Sequence, residues 1–522
     1  MPAGDFDLLG EAIAMVRRWE GGFGSRPDPA ATHPDAELLR QAWAELASRM
    51  AGNHPFFHPR YAGQMLKPPH PVAVAGYLAG LLVNPNNHAF DASPATTGME
   101  LEAVAELAAM LGLPEAHLGH LTSGGTVANL EALWVARELR PGTRVVCGDN
   151  AHYTHARMCE VLGVVATSVP SDPTGHLDLD AAEAECRRGD VGTVVVTAGT
   201  TGLGAVDDIA GALELRERYG VRVHVDAAYG GFFTLLAGPA PLAGTPPRDG
   251  PTPQDGPTPL AGPTPQDGPT PLAGPERVGA GEPTGIGAPT GLLDRSVERS
   301  FRCIGRADSV VVDPHKHGLQ PYGCGAVLFA DPSVARFYAH DSPYTYYTRS
   351  AEHLGEVSLE CSRPGAAAAA LWLTLRTFPL RPDTGLGPIV AAGRRAALDL
   401  ADRLGRSERL RLHVAPELDI VTYFAGAGAA AGAVPDRSER RALDEAITAA
   451  SERILAAGAS GEDPVWLSTL RVEPSSFAGA HPDLPAPERP VTLLRSVLMK
   501  PEHEEWVGWL HGRLEALAAA GA

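Results

Sequence analysis

Four short segments of this chain place reactive side chains directly after apolar or β-branched runs. The first is Val310-Val311-Val312-Asp313-Pro314-His315-Lys316-His317-Gly318. Its apolar run reads as a buried strand that the proline ends. A lysine delivered to such a strand end is poorly solvated, which pushes it toward the neutral amine. A positioned neutral amine attacks carbonyls, so the chemistry open to Lys316 is a Schiff base. The second segment, Val223-His224-Val225-Asp226-Ala227-Ala228-Tyr229, ends a strand on a carboxylate. Asp226 needs a cationic partner to stay charged there. A protonated pyridine nitrogen would serve, and the small Ala228 lets an aromatic ring lie close.

The third segment, Leu121-Thr122-Ser123-Gly124-Gly125-Thr126-Val127-Ala128-Asn129, runs into a helix. Small residues at a helix start leave N–H groups free at the positive dipole end, and hydroxyls add donors, so this stretch can cradle a phosphate. The fourth, Gly148-Asp149-Asn150-Ala151-His152-Tyr153-Thr154-His155, carries an imidazole that can stack on a ring or move a proton. A fifth stretch, Thr197-Ala198-Gly199-Thr200-Thr201-Gly202, turns backbone and hydroxyls toward the same edge. Alone, each has a plainer reading: a loop lysine, a helix-capping aspartate, a glycine-rich helix start, a surface histidine, a strand-to-helix loop.

The surrounding pattern supplies elements to hold them. Arg144–Cys147, Thr193–Thr197, Arg222–Val225 and Ser309–Val312 read as strands. Leu130–Leu139, His155–Leu162, Leu179–Arg187 and Ile209–Tyr219 read as helices between them. That alternation predicts a mainly parallel, doubly wound α/β sheet, on which ligands bind at the carboxyl ends of the strands. Three regions follow: an N-terminal helical and loop segment over 1–98, a large α/β domain over 99–385, and a smaller α+β domain over 386–522. Helices are expected over Ala36–Met50, near 72–83 and over Met99–Leu111. The C-terminal strands are expected over Asp419–Phe424 and Thr492–Met499, with a flexible loop over Ala425–Gly432. Pro239–Gly274 is an array of hexapeptides such as PTPQDG and PTPLAG, so about 238–290 reads as a disordered surface insertion.

Composition narrows the class. The 522 residues are 44% hydrophobic and 20% charged, as in globular proteins. A net charge of −19 argues against a nucleic-acid or anionic-membrane partner. The six cysteines lack disulfide or metal spacing, so a reducing, cytoplasmic setting without a metal is expected. No signal peptide or transmembrane run is expected.

Taken in order, these segments resemble the pyridoxal-phosphate-dependent group II amino-acid decarboxylases. His-Val-Asp-Ala-Ala, Pro-His-Lys and Gly-Thr-Thr carry the resemblance, with Ser93-Pro94-Ala95 before a helix and Leu494-Arg495-Ser496-Val497-Leu498-Met499-Lys500-Pro501 near the C-terminus. The resemblance implies fold type I, with a mainly parallel seven-stranded sheet, a homodimer, and pyridoxal 5'-phosphate as cofactor. It implies that Lys316 forms the internal aldimine, Asp226 pairs with the ring nitrogen, His152 stacks on the ring, and Gly124, Gly125 and Thr126 hold the phosphate with His315 beside them. Thr200 and Ala228 would lie near the ring, and Arg363 near the substrate carboxylate, with Asn87 and Phe90 approaching the pocket. Tyr346 or Tyr347 would return the proton. The implied reaction converts an L-amino acid to its amine and carbon dioxide through an external aldimine and a quinonoid. Aldehyde formation by oxidative deamination, a lyase or aminotransferase outcome, and a non-catalytic paralogue stay open. A histidine, His317, stands after Lys316 where many aromatic-substrate members have tryptophan, so an aromatic substrate is not assumed.

Overall fold

The structure, a computed structural model, describes residues 3–238, 291–339, 353–425 and 437–520. The hexapeptide insertion, Tyr346 and Tyr347, and nearly all of the expected loop over 425–432 lie outside the described residues.

Seven strands form the main sheet: β1 (Leu118–Thr122), β2 (Arg144–Gly148), β3 (Ala166–Val169), β4 (Val191–Thr197), β5 (Arg222–Asp226), β6 (Ser309–Val312) and β7 (Gly325–Phe329). Their order is β1-β7-β6-β5-β4-β2-β3. The pairs β2–β3, β2–β4, β4–β5 and β5–β6 are parallel, and β7 runs antiparallel to both of its neighbours. The valine-rich runs explain why the strands are central. Side chains alternate, so Val194 and Val196, Val223 and Val225, and Val310 and Val312 enter one core. Val195 and Val311 enter separate clusters with other partners. A strand buried on both sides reads as continuous apolar sequence rather than as alternation. β1, β3 and β7 were not anticipated because each is short and mixes glycine, alanine or polar residues with few valines.

A second sheet is antiparallel and four-stranded, in the order β10-β11-β9-β8. It comprises β8 (Leu410–Leu412), β9 (Ile420–Ala425), β10 (Ser468–Val472) and β11 (Val491–Val497). Val421, Tyr423 and Leu494 pack with the helices Leu386–Gly405 and His503–Ala519. Phe424, Val491 and Leu493 pack with Leu443 and Ile447 of the helix Arg437–Gly458.

The N-terminal helices are α1 (Ala3–Gly21), α2 (Ala36–Met50) and α3 (Pro71–Val83), followed by α4 (Pro94–Leu111). α4 starts earlier than the expected Met99, because Ser93 and Pro94 form a helix entry with proline in the first turn. α2 has an Asp35 cap accepting from two backbone N–H groups, and none of its residues is buried. No helix among the described residues is long and apolar enough to cross a membrane.

Candidate active site

The parallel strands β1, β2, β4, β5 and β6 bring their carboxyl ends to one edge, and a cavity of about 350 Å³ opens there. Helix α5 (Gly125–Leu139) begins directly after β1, and helix α6 (Thr154–Leu162) follows β2. The cavity wall includes Gly124, Gly125, Thr126, His152, Asp226, Ala228, His315 and Lys316. Residues from four separate loops therefore meet as the sequence predicts.

The helix start is built for an anion. Gly124 has φ +147, a conformation that L side chains rarely adopt. A Cβ on Gly125 would sit 2.7 Å from Asp313 Oδ2. No side chain caps α5; the Val127 and Ala128 N–H groups return to the Gly124 carbonyl, which leaves those of Gly125 and Thr126 at the cavity wall for an incoming acceptor. This is the cradle a phosphate needs.

Lys316 Nζ lies 3.1 Å from Asp313 Oδ2. Asp313 Oδ1 is buried with no hydrogen-bond partner among the described residues. His315 bonds the Cys324 carbonyl through Nδ1 at 2.8 Å, and its ring lies tilted against Tyr322. Burial lowers the His315 pKa, with Asp313 opposing. His152 accepts the Thr154 N–H at Nδ1, 3.2 Å, which fixes its ring beside the cavity. Burial lowers its pKa too, favouring a neutral ring.

Asp226 ends β5 and is almost fully buried. Burial alone raises its pKa. The His155 hydrogen bond and charge, Lys316 and the Ala228 N–H outweigh that and hold the carboxyl well below its ordinary value. His155 Nε2 is 2.9 Å from Oδ2. The buried anion that a cationic ring nitrogen requires is therefore present.

Several expected roles are placed elsewhere. Thr200 does not line the cavity; its hydroxyl accepts the Ala205 N–H at 3.1 Å and closes a turn, while Thr197, Gly199 and Thr201 line the wall. Arg363 is also absent from the wall. Its guanidinium is buried against the Glu100 carboxylate and donates to the Leu121 carbonyl at 2.9 Å. Asn87 donates to Glu100 Oε2 at 2.8 Å, and the Phe90 N–H meets His353 Nδ1 at 3.2 Å. A buried carboxylate on α4 holds Arg363 and Asn87, and none of Arg363, Asn87 and Phe90 is part of this cavity's wall.

Sequence reasoning missed Asp313, His155 and Tyr229 as parts of the site, and gave no role to Arg495. Tyr229 lines the cavity and donates its hydroxyl to Asp419, which also meets His317 Nε2 at 2.8 Å. His317 Nδ1 donates to the Tyr229 carbonyl at 3.0 Å, so the residue after Lys316 ties the site to the second sheet. Arg495 of β11 donates to Thr201 O at 2.6 Å, Gly202 O at 3.0 Å and Ser468 Oγ at 3.0 Å. All its hydrogen-bond acceptors are neutral, although Thr201 is itself part of the cavity wall.

An uncapped helix start facing a strand-end lysine and a buried aspartate across one cavity is an arrangement whose donor set fits pyridoxal phosphate. Comparison with known proteins agrees. A profile of the pyridoxal-dependent decarboxylase conserved domain matches residues 29–239, ending where the hexapeptide array begins. The chain is 26% identical over 445 residues to an L-tyrosine decarboxylase of Enterococcus faecium, covering 71% of this chain and 68% of that one. It is 25% identical over 395 residues to a probable L-aspartate decarboxylase of Pyrococcus furiosus, covering 75% and 87%. The crystal structure of mouse CSAD superposes with a TM-score of 0.71 at 18% identity, covering 99% of both chains, which establishes the shared fold. The chain thus resembles the pyridoxal-dependent decarboxylases, over residues 29–239 by the family model and at 25–26% identity to these relatives.

Proposed function

We propose that the protein decarboxylates an L-amino acid to its amine and carbon dioxide, with Lys316 as the cofactor-linking lysine and Asp226 as the partner of the ring nitrogen. The observation that carries this reading is the convergence of the Gly124–Thr126 helix start, Lys316 and Asp226 on one cavity. When bound, pyridoxal phosphate supplies a carbonyl for the substrate amine and a cationic ring that accepts the electron pair released at Cα.

The chain's own residues do the rest. The first N–H groups of α5, with Ser123 and Thr126, bind the phosphate. Asp313 Oδ2, 3.1 Å from Lys316 Nζ, would hold the lysine in place beside the cavity. Asp226 keeps the ring nitrogen protonated because its own carboxyl stays ionised. His152 closes one face of the cavity. Arg363 and Arg495 are the candidates for the substrate carboxylate: Arg363 keeps Nε and Nη1 without a hydrogen-bond partner among the described residues, and Arg495 has neutral acceptors only, one of them Thr201 of the cavity wall. The proton returned to Cα is assigned to Tyr346 or Tyr347.

The protein acts as a homodimer in this reading. Leu38, Leu39, Trp43, Leu46 and Met50 form an exposed apolar stripe on α2, more than a helix normally leaves in water. Trp43→Glu with Leu46→Glu should halve the mass seen by light scattering.

A panel of common amino acids, assayed with added pyridoxal phosphate for amine, carbon dioxide, aldehyde and ammonia, tests the reaction. Equal yields of amine and carbon dioxide, abolished in Lys316→Ala, support it. Aldehyde and ammonia as the main products would replace decarboxylation with oxidative deamination.

A further inference from the structure

Behind Asp226 lies a histidine that the reaction does not obviously need. His155 stands in the first turn of α6, its N–H bonded to the His152 carbonyl at 3.1 Å. Its ring turns inward under the sheet edge and is only 1% exposed. Nε2 reaches Asp226 Oδ2 at 2.9 Å, while Nδ1 is buried with no hydrogen-bond partner among the described residues. An ionised carboxylate can only accept, so the proton sits on Nε2. One N–H is therefore the whole hydrogen-bonding contribution of this side chain. Burying the second nitrogen bare costs free energy that an apolar residue would not incur.

The other contacts of Asp226 show what that N–H achieves. Asn129 Nδ2 of α5 lies 3.4 Å from the same Oδ2, a long contact. His224 Nε2 meets Asn129 Oδ1 at 2.8 Å, which orients the amide with its nitrogen toward Asp226. The Ala228 N–H meets Oδ1 at 3.1 Å. A carboxylate offers about four lone-pair positions. Three are taken from within the protein, and Asp226 is itself part of the cavity wall. His155 makes the shortest of the three contacts.

We propose that His155 is a positioning residue for the cofactor: its Nε2–H holds the Asp226 carboxylate ionised, with one acceptor position left for the ring nitrogen. This rests on the reading that the cavity binds pyridoxal phosphate through Asp226. Three variants separate hydrogen bonding from packing. His155→Leu removes the donor. His155→Gln restores an N–H where Nε2 lies, and His155→Asn places one too near the backbone to reach.

The experiment measures dissociation constants of the apoprotein for pyridoxal phosphate and for the analogue whose ring nitrogen is replaced by carbon. His155→Leu and His155→Asn should weaken binding of pyridoxal phosphate by about 10- to 100-fold, the range for a hydrogen bond to a charged group, and His155→Gln by no more than about threefold. The carbon analogue should bind all four proteins alike, since it presents no ring nitrogen to Asp226. Equal losses for both ligands would reduce His155 to a packing role. Unchanged affinity for pyridoxal phosphate in His155→Leu would remove the role altogether. If Asp226→Ala discriminates no better than wild type between the two ligands, and wild type does not discriminate, the ring-nitrogen reading itself fails and takes this proposal with it. Should His155→Leu not fold, the Gln and Asn pair still decides.

Discussion

Two buried carboxylates in this protein have nearly the same kind of partners and opposite uses. Glu100 on α4 has both oxygens filled by the chain: the Leu121 N–H and Arg363 on one, the Asn87 amide on the other. Asp226 has a histidine, an amide and a backbone N–H, and an open side on the cavity. The arginines contrast in the charge of their partners. Arg363 is paired with Glu100, whereas Arg495 donates to carbonyls and a hydroxyl. Charge and burial do not mark a functional group. For the carboxylates, an unfilled acceptor position facing a cavity does.

The largest effect expected from this contrast is at Asp226. Asp226→Asn should lower kcat/KM by roughly 100-fold or more, the scale of one lost electrostatic partner in an active site. The apoprotein should unfold at nearly the wild-type temperature, because the change keeps the side chain's shape. Steady-state kinetics beside calorimetry check both halves.

Arg363→Ala should act on stability. Leaving Glu100 buried and unpaired should cost about 3–5 kcal/mol of stability. Denaturant titration measures this quantity. KM of the fraction that folds separates the two candidate arginines. A KM raised tenfold or more, on the scale of a lost charged hydrogen bond, would assign the substrate carboxylate to Arg363.

Arg495→Lys sharpens it further. A lysine keeps the charge and loses the fork, so a cost of about 1.5–3 kcal/mol in kcat/KM is expected. The loss should be smaller toward an amine product that inhibits competitively, because that molecule has no carboxylate. Comparing KM with the product's inhibition constant reads this directly.

The smallest effect concerns a third assembly. His176 bridges Asp172 at 3.0 Å and Glu417 at 2.8 Å, joining the large sheet's loops to the second sheet's approach. The Glu417 hydrogen bond, opposed by burial and aided by Asp172, raises the His176 pKa to about 9. A histidine raised on folding stabilises fully below its unfolded value of about 6.5. That contribution fades as pH rises through about 9. Melting temperatures between these limits should therefore fall more steeply in wild type than in His176→Gln. Parallel curves would show that the bridge adds nothing.

Much of the site was legible because its residues sit at strand ends in an order that only one arrangement satisfies. Lys316, Asp226, His152 and the 124–126 helix start converge as expected. The Glu100 contact of Arg363 was not legible for a physical reason: arginine beside a loop looks the same whether or not a carboxylate from another element reaches it, and Glu100 lies far away in the chain. Thr200 stays out of the cavity wall because a hydroxyl in a tight turn bonds its own backbone first. His155 was quoted but given no role, since its direction depends on where the first turn of α6 starts.

By itself the sequence determined the fold class, an α/β sheet with reactive side chains at its strand ends. Local rules suffice for that: β-branched runs make buried strands, small residues open helices, and reactive side chains at strand ends reach one edge. Only the tertiary structure decided which buried charges are already satisfied. That depends on contacts between residues far apart in the chain, where the count of filled hydrogen-bond positions separates a carboxylate that braces, Glu100, from one that can still bind, Asp226.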